Sequence, residues 1–567
     1  MSTSKAYGKI VKLQDNIVMV NGLRKCYIGE VIVFNQSNDY EIIASVANVD
    51  DENTSRLIIV KGTQVELSQD VLAFRTFHPL KTQTGFGVLG KVITPLGDLV
   101  DDNEDEDPKT IVLNNFFNIE LTNIMAKSPS IIERETVAIP FHTGVSIVDC
   151  FTPIGCGQRQ LVIGDINTGK TSLSLTMLLN QRFILNFVDK VWRGLETTLA
   201  ISYASRALKF MPCIFVAIGK RRSEVLRLKR VLLAYNAMYY TTIVFTSSED
   251  VPALQFFAPY AACAIGEWFM KKAYNTLVIF DDLSQQAVAY RQITLLLRRP
   301  PGREAYPGDI FYVQSRLLER GAQLSKKCGT GSLTVIPLIE TKGGDIAAYI
   351  PTNVISITDG QVFLSSSIIN KGLRPGVNIG LSVSRVGSKA QYNCIKYVSK
   401  KIKRDYILYK TYESLSKISS DMDPMLLGYV NRGNTILNFF SQKLFQTVRI
   451  VHQSLAFFCL SEGYLDEVNL KYVHLFFELY FKSYFVEGYL DEIEELMKYL
   501  ITRNIVFIES IFIAISIEPS LKEIIILSKA FTSYFKIKLL PRLNDDIDDL
   551  YYNLLRASVK NKVAIKG

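Results

Sequence analysis

The residues with the clearest chemical meaning form one stretch, Gly164 to Ser172, which matches the pattern G-x-x-x-x-G-K-[ST]. Its two glycines allow the backbone to curl so that several N–H groups point toward one anion. Lys170 would reach the β- and γ-phosphates, and the Thr171 hydroxyl would be a ligand for Mg²⁺. The stretch predicts an ATP or ADP site made by Gly164, Asp165, Asn167, Thr168, Gly169, Lys170, Thr171 and Ser172.

The segments on either side of this loop supply the strand and the helix that the motif requires. The apolar run 160–163 precedes the loop and is typical of a buried strand, whereas 173–179 has the composition of a helix. A helix that begins at the loop adds partial positive charge beside a phosphate. This context argues against a chance match in a glycine-rich turn.

A second apolar run, 277–280, ends in two carboxylates, Asp281 and Asp282. In phosphate-binding-loop proteins, an aspartate that follows a strand near the loop holds the Mg²⁺ shell. We expect Asp281 to take this role together with Thr171, and Asp282 to lie farther from the metal. The alternative is that the two carboxylates only mark a turn at the end of a strand.

Position 220 indicates what the site does with a bound triphosphate. Hydrolysis requires a group that orients the attacking water, and a hydrolytic enzyme would have a glutamate directly after Gly219, where this chain has Lys220. An ammonium group binds phosphate but cannot accept a proton from water. Glu224 is a nearby carboxylate that offers an alternative base. We therefore expect the site to hold nucleotide without splitting it.

Three segments of different patterning would position these residues. Residues 1–80 alternate short β-rich runs with turns at a spacing of roughly ten residues, typical of a small antiparallel barrel or sandwich. Residues 81–391 alternate apolar runs with helical stretches, which indicates an α/β sheet. Residues 392–567 have helical patterns rich in Leu, Phe and Tyr, which predict a helical bundle. The buried strands expected in the central segment are 161–163, 213–218, 241–245, 277–280 and 333–336.

The composition excludes several kinds of site. The chain has 567 residues, 48% of them hydrophobic and 21% charged, which is ordinary for a globular protein of several domains. Its eight cysteines form no C-x-x-C pair and it has four histidines, which argues against a zinc site or a disulfide framework and favours a reducing compartment. The net charge of +9 is not gathered into a basic tract, so we expect no nucleic-acid partner. The most apolar window, 505–517, is shorter than the ~20 residues that cross a bilayer.

Four long and specific blocks of sequence carry a family resemblance: 140–160 continuing through the loop, 290–309, 348–361 and 380–388. They resemble the alpha subunit of the F-type ATP synthase and differ from its catalytic beta subunit. The resemblance is strong from about 80 to 391, moderate before it and weak past about 430. It implies an N-terminal antiparallel β-barrel, a central α/β domain of the RecA-like type and a C-terminal α-helical domain.

The resemblance also implies partners and a second functional residue. This chain would alternate with beta subunits in a hexamer around a central-stalk gamma subunit, with a peripheral stalk attached, and would hold Mg-ATP without turning it over. Arg385 corresponds to the arginine finger that alpha sends into the catalytic site on beta, where a guanidinium stabilises transition-state charge. The other interpretation of Arg385 is a structural ion pair at an interface. The expected location is the matrix side of the mitochondrial inner membrane, reached only through the complex, or alternatively a bacterial or plastid membrane.

The adenine side of the site matches the family less completely. Arg374 and Gln442 correspond to family residues near the base. Ile369 replaces an aromatic residue and Leu444 replaces a second glutamine, so we expect a stacking contact to be lost. Asn167 and Lys220 replace glutamines of the family, and Gly376 departs from a family signature at that position. The chain also has an insertion near 185–205.

Two other functions fit part of the same pattern. A self-sufficient rotary or export-type ATPase would share the core but would have a carboxylate at position 220. A hexameric RNA translocase would carry aromatic stacking platforms and basic loops in its N-terminal segment. Residues 1–80 have no basic cluster and few aromatic residues of that kind.

Overall fold

The computed structural model describes residues 7–35, 41–51, 53–62, 67, 71–100, 119–181, 210–416, 424–448 and 450–463. The chain divides into two units, one made of residues 1–391 and 442–447 and the other of 392–441 and 448–567. The domains expected from the sequence, 1–80, 81–391 and 392–567, stay a prediction, and that prediction did not anticipate the grouping of 442–447 with the first unit. The insertion near 185–205 lies outside the described residues, as does the sequence after 463.

The N-terminal strands close into an antiparallel barrel of six strands in the order β1-β2-β5-β4-β3-β6. Alternate side chains point inward, so that Val18, Phe34 and Leu57 are fully buried. Of the two predicted arrangements, the barrel is the one that forms. Closure depends on β6, which the sequence pattern did not indicate. The strands are β1 (Tyr7–Gln14), β2 (Ile17–Asn21), β3 (Glu30–Asn35), β4 (Glu41–Val49), β5 (Thr54–Lys61) and β6 (Leu72–Pro79).

An eight-stranded sheet in the order β18-β17-β12-β16-β15-β13-β14-β8 forms the centre of the first unit. Neighbouring strands of this sheet pair in parallel, except that β18 is antiparallel to β17. All five buried strands predicted from apolar runs are present. The strands after the barrel are β7 (Lys81–Thr84), β8 (Val92–Ile93), β9 (Glu120–Asn123), β10 (Pro140–Phe141), β11 (Ile154–Gly155), β12 (Leu161–Asp165), β13 (Cys213–Lys220), β14 (Thr241–Ser247), β15 (Asn275–Asp281), β16 (Ser332–Thr341), β17 (Gly360–Leu364) and β18 (Val383–Ser384).

Helices cover this sheet and bury its apolar strands. The 20-residue α4 is buried along most of its length and includes Glu267, which pairs with the fully buried Arg320. The Arg320 guanidinium also donates to the carbonyl oxygens of Ile124 (2.8 Å) and Tyr260 (3.0 Å), so its charge is well compensated. The helices are α1 (Ser146–Phe151), α2 (Lys170–Asn180), α3 (Arg222–Ala234), α4 (Pro252–Lys271), α5 (Leu283–Leu296), α6 (Ile310–Leu318), α7 (Tyr349–Ile357) and α8 (Ser366–Asn370).

The described part of the second unit is helical, as predicted. It consists of α9 (Asn393–Ser416), α10 (Pro424–Phe439) and α11 (Ile450–Ser461). Gly433 on α10 lies against the ring of Tyr409 on α9, where a Cβ atom would be only 2.0 Å from the ring. Among the helices that the structure describes, none has the length and apolarity needed to cross a bilayer.

The parallel order of the central strands determines where a site can form. Strands β12, β16, β15 and β13 are consecutive neighbours, and their carboxyl ends meet at one edge of the sheet. In open α/β sheets, ligands bind outside this edge. The predicted loop follows β12, Asp281 ends β15 and Lys220 ends β13, so the fold brings the predicted residues to the same place.

Candidate nucleotide site

The predicted loop joins the end of β12 to the start of α2 at Lys170. At Gly164 any side chain would collide, because a Cβ atom there would lie 2.7 Å from the Leu364 carbonyl oxygen. Gly169 has a φ of 80°, in the left-handed region that favours glycine. Asn167 is exposed with a φ of 62°, which asparagine tolerates better than most residues. The predicted strand, loop and helix therefore follow one another directly in the structure, as the motif requires.

Asp165 and Thr168 hold the shape of this loop. The Asp165 carboxylate accepts hydrogen bonds from Thr341 Oγ1 and from the backbone N–H of Gly344, both at 2.7 Å. Thr168 Oγ1 donates to the Asp165 carbonyl oxygen at 2.7 Å. Both donors bond Asp165 Oδ1, so the Asp165 side chain ties the loop to the segment that follows β16.

Lys170 is the buried cation of the loop. Its side-chain ammonium donates to the carbonyl oxygens of Gly164 (2.9 Å) and Asp165 (2.6 Å), and the residue is 8% exposed. Burial lowers the pKa of Lys170 from its ordinary value, while Glu340 and the carboxylates of the β15 end act in the opposite direction. The ammonium is thus held directly over the loop, where a phosphate would meet it.

Thr171 and Asp281 come together as the sequence predicted, although 110 positions separate them in the sequence. The Thr171 hydroxyl donates to Asp281 Oδ2 at 2.8 Å. Both side chains present oxygen atoms, the ligand type that Mg²⁺ prefers. In the described part of the chain, no cluster of three His, Cys, Asp or Glu side chains is placed to hold a metal alone. A Mg²⁺ at this oxygen pair would therefore take its other ligands from phosphate and water.

Lys220 also contacts this pair, which the sequence did not reveal. Its ammonium lies 3.2 Å from Asp281 Oδ1, with 26% of the Lys220 side chain and 7% of the Asp281 side chain exposed. Burial lowers the pKa of Lys220, but the carboxylates of Asp281 and Asp282 outweigh it and the net shift is upward. Lys220 therefore carries a positive charge at the position where we expect a hydrolytic enzyme to have a glutamate.

Two of the other carboxylates near this edge, Asp282 and Glu224, have different environments. Asp282 accepts a hydrogen bond from the backbone N–H of Gln285 at 2.9 Å and caps the start of α5. Burial raises the pKa of Asp282 to about 6. Glu224 is exposed in the first turn of α3. Helix capping gives Asp282 a structural task, which fits the choice of Asp281 as the metal-facing residue.

The predicted adenine-side residues lie close together in the first unit. The Gln442 backbone N–H donates to the Arg374 carbonyl oxygen at 2.7 Å. The Gln442 side chain accepts from the Ser146 backbone N–H at 2.8 Å and donates to the Gly144 carbonyl oxygen at 3.2 Å. These bonds fix the side chain to the start of α1, while the Arg374 side chain is exposed.

Two departures from the family turn out to be neighbours. A Cβ atom at Gly376 would lie 2.4 Å from Ile369 Cγ1. The branched Ile369 side chain thus occupies the space beside the backbone of Gly376, and only glycine fits there. Leu444 is 60% exposed. Ile369 and Gly376, the two positions expected to depart from the family pattern, therefore pack against each other.

Arg385 is held in place through its backbone. Its N–H donates to the Asp359 carbonyl oxygen at 2.8 Å, at the point where β17 pairs with β18. The Asp359 carboxylate accepts three bonds from Arg159, from its backbone N–H (3.0 Å), Nε (2.9 Å) and Nη2 (2.7 Å). Arg159 also pairs with Glu319, and these carboxylates outweigh burial and raise the pKa of Arg159. The positioning residues Arg159 and Asp359 were not recognised from sequence.

The Arg385 side chain lies at the edge of the sheet opposite the loop. Ser384 pairs with Gly360 at the start of β17, and the neighbouring β12 separates this edge from the loop. The five residues of β12 span about 16 Å at ~3.3 Å per residue. Arg385 is exposed, and its guanidinium makes no hydrogen bond or ion pair with another described residue. Its backbone therefore lies at the far end of β12 from the loop of its own chain.

Comparisons with known proteins agree with this architecture. The model of the ATP synthase alpha/beta family, nucleotide-binding domain, matches residues 144–384, and a model of the C-terminal domain of ATP synthase alpha/beta chains matches 391–500. The ATP synthase subunit alpha of Neorickettsia sennetsu is 40% identical over 468 residues, covering 82% of this chain and 85% of that protein.

Two further relatives show the same extent of similarity. The ATP synthase subunit alpha of Ehrlichia ruminantium (strain Gardel) is 40% identical over 477 residues, covering 84% of this chain and 87% of that protein. That of Rickettsia canadensis is 39% identical over 479 residues, covering 84% and 86%. The resemblance seen in the motifs is thus confirmed over most of the sequence, and the chain belongs to the ATP synthase alpha subunit family.

Proposed function

We propose that this chain is the non-catalytic, nucleotide-binding subunit of a proton-transporting ATP synthase and supplies Arg385 to the catalytic site of an adjacent beta subunit. It binds ATP or ADP at its own loop without turning it over. It alternates with beta subunits around a gamma subunit and connects to a peripheral stalk. Membrane association is through the complex, at the matrix side of the mitochondrial inner membrane or at a bacterial or plastid membrane.

The chemistry at position 220 supports the non-catalytic part of this proposal. Lys220 pairs with Asp281 at 3.2 Å and cannot take a proton from water. Glu224, the alternative base, is exposed on α3 and lies well past the position directly after Gly219 where a hydrolytic enzyme would have its glutamate. At the carboxyl ends of the central strands, Lys170 and Lys220 would bind phosphate. The Asp281 carboxylate there is already bonded by Thr171 and Lys220.

Mg²⁺ fits the oxygen pair of Thr171 and Asp281, which converge within 2.8 Å of each other. These two residues would hold the ion, directly or through water, and the ion would neutralise phosphate charge. Lys170 binds the phosphates, and the backbone of 164–169 wraps them. Arg374 and Gln442 lie together on the side where we place the base.

The position of Arg385 is the observation that carries the proposal. Its side chain is exposed and lies at the sheet edge away from its own loop, while Asp359 fixes its backbone. An exposed guanidinium on an anchored backbone, about the length of β12 away from its own loop, is available to a site formed with a neighbouring chain. There it stabilises the charge on the phosphoryl group, an effect that in other nucleotide hydrolases is worth roughly 10³–10⁵ in rate.

The test uses the complex reconstituted with Arg385→Lys. We expect turnover to fall by about 10³-fold while ATP binding to this chain stays near wild type, because lysine cannot reproduce the planar fork of the guanidinium. Arg24→Lys, on the exposed side of the barrel, is the matched control and should leave turnover unchanged.

Two results would overturn the proposal. Unchanged turnover of the Arg385→Lys complex would reject the assignment of the arginine. ATP hydrolysis by the purified chain alone, at a rate comparable to that of the complex, would instead favour a self-sufficient ATPase.

A further inference from the structure

The ion pair between Lys220 and Asp281 places a fixed positive charge beside the pair of oxygens that would hold Mg²⁺. Lys220 ends β13, where Gly219 has a φ of 61° and the register with β14 shifts between Ala217 and Lys220. The resulting turn carries the Lys220 ammonium to 3.2 Å from Asp281 Oδ1. Because Asp281 is 5% exposed, water screens this contact only weakly.

Both oxygens of the Asp281 carboxylate are engaged by the protein. Oδ2 accepts from the Thr171 hydroxyl at 2.8 Å, and Oδ1 faces the Lys220 ammonium. A Mg²⁺ held by this oxygen pair would share Asp281 with a unit positive charge, and repulsion between the two cations would reduce the affinity that the metal adds to ATP binding. The same ammonium also attracts the anionic oxygens of a triphosphate.

Two ammonium groups, those of Lys170 and Lys220, lie among the carboxylates at this position. Lys170 lies over the loop that follows β12, and Lys220 lies at the end of β13, with β16 and β15 between these two strands. The two ammonium groups are close enough that Lys220 contributes to the lowered pKa of Lys170. The carboxylates of Asp281 and Asp282 act on both lysines, whereas Glu340 acts on Lys170 and Glu224 acts on Lys220.

We propose that Lys220 acts as a built-in cation that takes over part of the role of Mg²⁺, so that this chain binds ATP with little dependence on divalent metal. The inference rests on the proposed function in one respect, that the loop binds ATP. It concerns the site itself and not turnover by the complex, so binding alone can test it.

The experiment measures ATP binding to the purified full-length chain by calorimetry, once with excess Mg²⁺ and once with excess EDTA. The readout is the dissociation constant for ATP in EDTA divided by the dissociation constant in Mg²⁺. For the wild-type chain we expect a ratio of about threefold or less. For Lys220→Gln we expect about tenfold or more, and tenfold corresponds to ~1.4 kcal/mol.

Two control variants separate the role of the charge from other effects. Lys220→Arg keeps a cation at this position and should retain the low ratio of the wild-type chain. Lys12→Gln makes the same change of charge at an exposed position of the barrel and should also retain it. Thermal unfolding of each variant shows whether it is folded.

The outcomes distinguish the two proposals. A wild-type ratio of about tenfold or more would overturn the inference without any variant, even if Lys220→Gln failed to fold. Equal ratios for the wild-type chain and Lys220→Gln would overturn it as well. Absence of ATP binding in both solutions would overturn the proposed function itself.

Discussion

Substitution of Asp359 by asparagine tests whether the anchor of Arg385 matters for turnover. The Asp359 carboxylate accepts three N–H bonds from Arg159, and the two side chains are 26% and 14% exposed. Asp359→Asn keeps the size of the side chain but removes its charge and the two-pronged pairing with the guanidinium. The segment that carries Arg385 should therefore be held less firmly.

The size of this effect follows from the strength of the lost interaction. Hydrogen bonds to charged groups contribute about 1.5–3 kcal/mol, and partial exposure of Asp359 places this pair toward the lower part of the range. A loss of about 2 kcal/mol shifts the balance between anchored and released segments by about 30-fold. Other bonds still hold the segment, among them Ser384 Oγ to the Pro153 carbonyl oxygen at 2.7 Å. We therefore expect turnover of the complex to fall about 10- to 30-fold.

The assay is steady-state ATP turnover of the reconstituted complex, together with ATP binding to this chain and its thermal unfolding. Asp98→Asn is the matched control, since Asp98 forms an exposed ion pair with Lys61 that contributes at most about 1 kcal/mol. Binding of ATP should stay unchanged in both variants. Wild-type turnover by a folded Asp359→Asn complex would refute the reasoning.

Two further predictions concern other parts of the chain. Gly433→Ala should destabilise the C-terminal helical unit by about 1–3 kcal/mol, because a Cβ atom would lie 2.0 Å from the ring of the buried Tyr409. Limited proteolysis should then cleave this unit earlier than in the wild-type protein. Equal cleavage of the two proteins would contradict this packing. Burial raises the pKa of Cys263 to about 12, so its thiolate is scarce at pH values near 8. A maleimide should therefore label the exposed Cys328 in the folded protein and spare Cys263, as mass spectrometry of peptides would show.

Much of this site could be predicted because its signals are local in the sequence. The loop from 164 to 172 has its own pattern of glycines, lysine and threonine, and the apolar runs beside it fix a strand and a helix. Asp281 could be paired with Thr171 because a parallel sheet brings the carboxyl ends of its strands to one edge. The structure places the two side chains 2.8 Å apart.

The contacts that the sequence did not reveal depend on which strands are neighbours. No spacing along the sequence indicates that Lys220 meets Asp281, that Arg159 holds Asp359, or that Ile369 fills the space beside Gly376. Each of these contacts arises where separate segments meet after the sheet has formed.

The amino-acid sequence alone thus determined the kind of ligand and the residues of the loop, because short-range geometry is enough to cradle a phosphate. Only the tertiary structure decided the electrostatic balance at Asp281 and the distance of Arg385 from the loop of its own chain. The physical reason is that charge interactions act through space over a few ångströms, and strand order sets those distances.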